Sequence, residues 1–137
     1  EDVYDAALIG YNDVADVAVL KVDASLPDLG FGDSDDVQVG ERVIALGNPA
    51  GLSFTVTEGI VSAVHRKGPN NLNIYLQTDV PINPGNSGGP LVDTNSKIIG
   101  LNNFKVSGLE GLGFAIESNT VKEVADGIIE QYLQAQQ

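Results

Sequence analysis

Short apolar runs separated by clusters of turn residues occupy most of the chain, a pattern that is typical of strands rather than helices. Many of the runs are rich in β-branched residues, and glycine, proline, asparagine or aspartate separates them. Many short strands at this spacing predict an antiparallel barrel or sandwich. The runs that predict strands are DAALIGY, DVAVLKV, ERVIALG, SFTVTEGIVSAV, NIYLQTDV, GPLVD, IIGLNNF and GFAI.

The C-terminal stretch has a different period. From Val121 onward the apolar residues recur at helical spacing, and Thr120 followed by Glu123 fits a capping box. We therefore expect one amphipathic helix that packs its apolar face on the strands. The positions of this apolar stripe are 121, 124, 125, 128, 129 and 132.

Composition and charge restrict the class of protein. The chain has 137 residues, 42% of them hydrophobic, which is enough for one domain with a core. It has no cysteine, so disulfides and a thiol nucleophile are excluded. The net charge of −12 disfavours nucleic acid and anionic membranes as partners. Either a soluble acidic surface or adaptation to salt accounts for this charge.

The segment PINPGNSGGPLVD, residues 81–93, places Ser87 among Gly85, Gly88 and Gly89. Glycines permit positive φ angles and close backbone approach, so the N–H groups of residues 85 and 87 could point to one spot and form an oxyanion hole. A nucleophile elbow of the G-x-S-x-G type is disfavoured, because Gly88, Gly89 and Pro90 are a poor helix start. The alternative is a glycine-rich turn with a structural role alone.

The chain resembles the chymotrypsin-fold serine proteases of the HtrA/Deg branch. LQTDVPINPGNSGGPLVD is similar to the family's active-site serine segment, and KIIGLNNF and GLGFAIESNTVKEV follow in the family's order. Upstream, ERVIALGNPAG and TVTEGIVSAVHR resemble early strands of the second barrel, and ADVAVLKV resembles the segment with the catalytic aspartate. The resemblance implies an all-β fold with a six-stranded antiparallel β-barrel and a C-terminal α-helix.

The resemblance also divides the chain into four parts. Residues 1–27 would be the last strands of the first barrel, and residues 28–36 the connector between the barrels. Residues 37–117 would form the second barrel with the serine loop, and residues 118–137 the C-terminal helix and tail.

Roles for single residues follow from the same resemblance. Ser87 would be the nucleophile of an endopeptidase that acts through an acyl-enzyme. Asp16 would orient the catalytic histidine, with Asp13 as the competing candidate. The oxyanion hole would consist of Gly85, Asn86 and Ser87, with Asn86 shaping the turn. An uncharged pocket would favour small or medium apolar substrate side chains, and its lining would be Pro81, Ile82, Asn83, Pro84, Leu101, Asn102, Asn103, Gly113, Phe114 and Ala115.

A base for the serine is not evident. The family's order is histidine, aspartate, serine, whereas the sole histidine, His65, lies between Asp16 and Ser87. We interpret His65 as a surface residue at a hairpin end and expect the family's histidine in a segment before residue 1. The chain is then a fragment that hydrolyses peptides negligibly by itself. A non-catalytic peptide-binding module, or pseudoprotease, is the alternative.

The expected partners are a peptide or unfolded-protein substrate and a second copy of the chain. The second copy would bind as a homodimer or by strand exchange through the unpaired first-barrel strands. We expect no nucleic acid partner, no membrane insertion and no cofactor. No metal site is expected either, since the acidic stretch GDSDD lacks the EF-hand spacing. The resemblance implies an extracytoplasmic location.

Overall fold

The computed structural model describes residues 2–48 and 54–137. Every predicted run forms a strand in this part of the chain, with small differences at the ends, while Ser53 lies outside the described residues. The elements are β1 (Ala6–Asn12), β2 (Val17–Val22), a 3₁₀ turn (Ser34–Asp36), β3 (Arg42–Gly47), β4 (Thr55–Lys67), β5 (Asn73–Thr78), β6 (Pro90–Asp93), β7 (Ile98–Lys105), β8 (Gly113–Glu117) and the helix α1 (Ser118–Ala135).

Six of the strands close into an antiparallel barrel in the order β3-β4-β5-β8-β7-β6, as expected. Alternation along each strand directs one set of side chains inward; on β3, Val43 and Ala45 are both buried. Burial of this apolar set supplies the main driving force for closing the barrel. The interior cluster consists of Val37, Val43, Ala45, Val61, Leu76, Val80, Leu91, Ile99 and Ala115.

Strands β1 and β2 form a separate two-stranded sheet whose inner face packs on α1, while Ala15 and Val17 at its turn pack against barrel residues. A Cβ atom at Gly10 would lie 2.5 Å from Ile128 Cγ2, so the glycine allows β1 to approach the helix closely. The hairpin is therefore anchored on one side by a second buried cluster, which consists of Ala15, Val17, Tyr75, Ile116 and Val121.

Helix α1 begins at Ser118, directly after β8. The predicted capping box is wrong, because Thr120 and Glu123 both lie inside the helix. The Asn119 N–H instead donates to Ser34 Oγ at 3.0 Å, so a side chain from the 3₁₀ turn occupies a capping position. Within the described residues, no helix has the length and apolar character needed to cross a membrane.

Candidate active site

Ser87 is exposed and lies on the loop between β5 and β6. Its Oγ donates a hydrogen bond of 2.8 Å to the carbonyl oxygen of Asn103 on β7. Gly88 has a φ of +85°, a conformation that L side chains rarely adopt. At Gly89 a Cβ atom would lie 2.5 Å from the carbonyl oxygen of Leu46, so the loop packs closely on β3. The glycines after the serine are therefore required by the turn and by this contact.

Asp16 lies in the turn between β1 and β2, in a left-handed conformation with a φ of +63°. Its Oδ2 accepts a hydrogen bond of 2.9 Å from Asn103 Nδ2. Asn103 thus accepts from Ser87 through its backbone carbonyl group and donates to Asp16 through its side-chain amide. Among the described residues, no hydrogen bond links Asp13 to either of them. The fold brings Ser87 and Asp16 together around one shared neighbour.

The two predicted oxyanion donors both point to Asn83. The Gly85 N–H donates to Asn83 Oδ1 at 2.9 Å, and the Ser87 N–H donates to the Asn83 carbonyl oxygen at 3.0 Å. A substrate oxygen can bind these two N–H groups only after the Asn83 acceptors have been displaced. The oxyanion hole therefore stays a prediction, and its formation requires a local rearrangement.

Asn86, between the two donors, is buried with 5% exposure. Its Oδ1 accepts the Asn83 N–H at 3.0 Å, and its Nδ2 donates to the carbonyl oxygen of Pro81 at 2.8 Å. Both halves of the amide are thereby used within the loop. The side-chain amide therefore stabilises the turn, and neither its Oδ1 nor its Nδ2 is available to bind a substrate.

A cavity of about 530 Å³ lies between the start of the serine segment and the long loop after β7. Pro81, Ile82 and Gly113 line it, as in the predicted pocket. The sequence does not predict the charged part of this lining. No motif specifies the path of residues 106–112, so the side chains that border the cavity cannot be read from the sequence. The charged residues are Asp79, Lys105 and Glu110.

Other predicted pocket residues lie on β7 and β8, behind the loop. Ala115 belongs to the barrel core and is 0% exposed. The Phe114 ring stacks on the Phe104 ring, with 4.8 Å between centroids. Leu101 packs on the second buried cluster, and Asn102 is 1% exposed. In this conformation these side chains support the site from within, while Pro84 is exposed on the loop itself.

His65 lies with carboxylates and not with Ser87. Its side chain is 53% exposed, its Nδ1 is 2.8 Å from Glu117 Oε1, and its Nε2 is 3.8 Å from Asp35 Oδ1. Burial raises the pKa of Glu117, while the His65 hydrogen bond acts in the opposite direction. These three side chains offer possible metal-ligand atoms within 4.8 Å of one another. No sequence signal marks this cluster, since its members come from distant parts of the chain.

Comparisons with known proteins give the family. Residues 1–101 match the family described as trypsin-like peptidase domain. The chain is 47% identical over 137 residues to "Serine protease Do-like HtrA" of Bacillus subtilis. The alignment covers 90% of this chain and 30% of that relative. It is 48% identical over 135 residues to "Probable periplasmic serine endoprotease DegP-like" of Chlamydia trachomatis, covering 92% and 27%. The solved structure "HtrA-type protease AlgW with decapeptide" has a TM-score of 0.85 at 43% identity, covering 91% and 40%.

The chain therefore belongs to the trypsin-like peptidase domain family. Within that family its relatives are HtrA- and DegP-type serine proteases, so the resemblance to the HtrA/Deg branch is confirmed. The chain spans only 30% and 27% of the length of the two curated relatives named above.

Proposed function

We propose that this chain supplies the nucleophile and the orienting acid of a serine endopeptidase that cleaves peptides or unfolded proteins. The observation that carries the proposal is the double role of Asn103, which bonds Ser87 Oγ and Asp16 Oδ2. Two groups that a catalytic triad needs are thus held next to one residue. The relatives named as serine proteases, and the AlgW structure with a decapeptide, support the substrate class.

The proposed reaction begins when Ser87 Oγ leaves Asn103 and attacks the carbonyl carbon of the scissile bond. The hydroxyl proton passes to a histidine base, and the carbonyl electron pair moves onto oxygen. Collapse of this intermediate breaks the C–N bond, and the amine leaves with the proton. Water then hydrolyses the ester on Ser87. The oxyanion needs the N–H groups of Gly85 and Ser87, which Asn83 must release.

The base in this proposal is a histidine outside these 137 residues. His65 is the only histidine of the chain, and its Nδ1 is engaged by Glu117. Ser87 Oγ bonds a backbone carbonyl, which cannot take its proton during attack. The isolated chain is therefore expected to hydrolyse peptides several orders of magnitude more slowly than a complete triad.

A peptide-binding module without catalysis is the second candidate. The observation that favours it is the engagement of both oxyanion donors by Asn83. A protein of this kind would hold an extended peptide by backbone hydrogen bonds and leave it intact.

A chimera distinguishes the two functions. In the Bacillus subtilis relative, the segment that matches this chain is replaced by the chain itself, and cleavage of an unfolded protein is followed. We expect cleavage that falls by at least about 10³-fold in Ser87→Ala and in Asp16→Asn. The matched control Asp13→Asn should retain activity. A folded chimera that binds the unfolded protein without cutting it would establish the module instead.

The same chimera tests the side-chain preference on a peptide library. Although Asp79, Lys105 and Glu110 also border the cavity, Pro81 and Ile82 give it an apolar part, so we expect cleavage after small or medium apolar side chains. Dominant cleavage after arginine would contradict that preference.

We also propose that the β1–β2 hairpin binds a second copy of the chain. On its outer face Leu8, Tyr11 and Leu20 are 59%, 66% and 61% exposed, and Leu8 lies directly opposite Leu20. Adjacent exposed apolar side chains on a two-stranded sheet favour association. Light scattering should find a concentration-dependent dimer that the double variant Leu8→Lys, Leu20→Lys abolishes. A wild-type monomer at every concentration would contradict this proposal.

We propose an extracytoplasmic location for the protein. The support comes from relatives in Chlamydia trachomatis and Halomonas elongata, both named as probable periplasmic endoproteases. Fractionation of the source cells, followed by detection with an antibody against this chain, tests the proposal. Recovery from the cytoplasmic fraction alone would refute it.

A further inference from the structure

Asn102 on β7 holds the serine loop from its buried side. Its backbone N–H donates to the Gly89 carbonyl oxygen at 2.9 Å, and its own carbonyl oxygen accepts the Gly88 N–H at 2.7 Å. Its side-chain Nδ2 lies 3.3 Å from the carbonyl oxygens of both Asn86 and Pro90. One residue, 1% exposed, therefore bonds the loop on both sides of the nucleophile.

The bond to Asn86 bears on the chemistry because a peptide unit is planar. The Asn86 carbonyl group and the Ser87 N–H are the two ends of one such unit. The carbonyl end is held inward by Asn102 Nδ2 and by the Gly89 N–H, which donates at 2.9 Å. Holding that end sets the direction of the N–H at the other end. In this structure the Asn83 carbonyl oxygen accepts the N–H in that direction. We propose that Asn102 is a positioning residue that keeps the Ser87 N–H in this direction, so that the N–H donates to the oxyanion once Asn83 has been displaced.

The unused half of the Asn102 side chain supports this role. In the described part of the chain, Asn102 Oδ1 is buried and has no hydrogen-bond donor. A reversed amide would turn Oδ1 toward two carbonyl oxygens, so the observed orientation is the favourable one. A buried acceptor without a donor is costly, and leucine would fill a similar space without that cost. The amide is thus explained by what its Nδ2 does for the loop.

This inference rests on the proposed function only for its effect on catalysis, so the first test needs no activity. Amide hydrogen exchange by NMR is measured on the 137-residue chain and on Asn102→Leu. We expect the Ser87 amide to lose its protection in the variant, while the Leu76 amide in the barrel core keeps its own. An unchanged Ser87 amide, or an equal loss at Leu76, would overturn the inference.

The second test uses the chimera described above. In Asn102→Leu we expect kcat to fall about 10²-fold, as for a misplaced catalytic group, with KM within about twofold of the parent value. Thr57→Val is the matched control, since Thr57 Oγ1 is the other unpartnered buried side-chain oxygen of the described residues. It should leave kcat unchanged. Should Asn102→Leu fail to fold, Asn102→Ser, which is smaller and keeps one donor, takes its place with a smaller fall in kcat.

The outcomes separate the two proposals. An inactive parent chimera contradicts the proposed function, while the exchange measurement still decides the role of Asn102. An active parent whose kcat does not change in the Asn102 variants overturns the positioning role alone. A variant that raises KM and leaves kcat intact also overturns it, because Asn102 would then act on substrate binding.

Discussion

Around Ser87 lie Asn83, Asn86, Asn102 and Asn103, and each uses its polar groups differently. Asn83 accepts hydrogen bonds from the two predicted oxyanion donors, and the Asn86 side chain accepts one from the Asn83 N–H within the same turn. Asn102 holds the loop from inside, and Asn103 connects it to the aspartate. An asparagine side chain offers a donor and an acceptor without a charge, so it can cross-link a loop at low desolvation cost. These four side chains therefore add no charge beside the serine.

Gly89 provides a test of the close contact between the loop and β3. In Gly89→Ala the new Cβ would lie 2.5 Å from the Leu46 carbonyl oxygen and 3.1 Å from that of Asn86. Neither backbone atom can move without shifting its strand or loop, so we expect a loss of about 1–3 kcal/mol in the free energy of unfolding. Urea denaturation measures this loss.

Gly127 is the matched control, because nothing lies within 4 Å of a Cβ atom built there. It is in the interior of α1, where alanine is favoured over glycine by about 1 kcal/mol, so Gly127→Ala should stabilise the protein. Equal stabilities for Gly89→Ala and the wild type would show that the loop does not pack on β3 as described.

At the scale of elements, the junction between β8 and α1 depends on contacts with distant segments. Glu117 ends β8 as a buried carboxylate, and it is hydrogen-bonded to His65 of β4. Ser118 Oγ donates to the Gly32 carbonyl oxygen at 2.9 Å, just before the 3₁₀ turn whose Ser34 caps the helix. The junction therefore joins three separate parts of the chain.

The raised pKa of Glu117 makes the stability of this junction dependent on pH. The folded protein binds the Glu117 proton more tightly than the unfolded chain does. The stability that this protonation contributes is therefore fully present below the ordinary glutamate pKa of about 4.3. It is lost as the pH rises through the raised pKa. Relative to the wild type, Glu117→Gln should therefore gain stability from about pH 4 upward. Denaturation curves at a series of pH values measure the difference.

Glu58→Gln is the control, since it removes a carboxylate from the exposed ion pair with Arg42 and should change stability little. A Glu117→Gln variant whose stability relative to the wild type falls as pH rises would reverse the expected sign. That result would mean that the ion pair with His65 outweighs the cost of burying the carboxylate.

At the scale of the whole molecule, 19 acidic and 7 basic residues impose a net charge of −12. Like charges on two copies repel each other, and this repulsion opposes the apolar association proposed for the β1–β2 hairpin. Added sodium chloride shortens the screening length from about 10 Å at 0.1 M to about 3 Å at 1 M. The dimer fraction in light scattering should therefore rise with salt. A dimer that dissociates in salt would indicate an interface held by ion pairs.

The strands and the glycine-rich turn around Ser87 could be predicted because their signals are local. Alternation at Val43 and Ala45 identifies a strand from a few neighbouring residues, and glycines on both sides of Ser87 mark an unusual turn. The capping of α1 was predicted wrongly because Ser34, which caps the helix, lies more than eighty positions away. The same limit hid the carboxylates around His65 and the charged lining of the cavity.

By itself, the sequence determined which segments form strands, where the helix lies and which serine stands in a glycine-rich turn, because each depends on residues a few positions apart. Only the tertiary structure decided what each polar group bonds. It joined Asp16 to Ser87 through Asn103 and placed His65 beside Glu117. Such pairings form when the barrel closes and the β1–β2 hairpin packs on it, since both steps bring together segments that no local pattern relates.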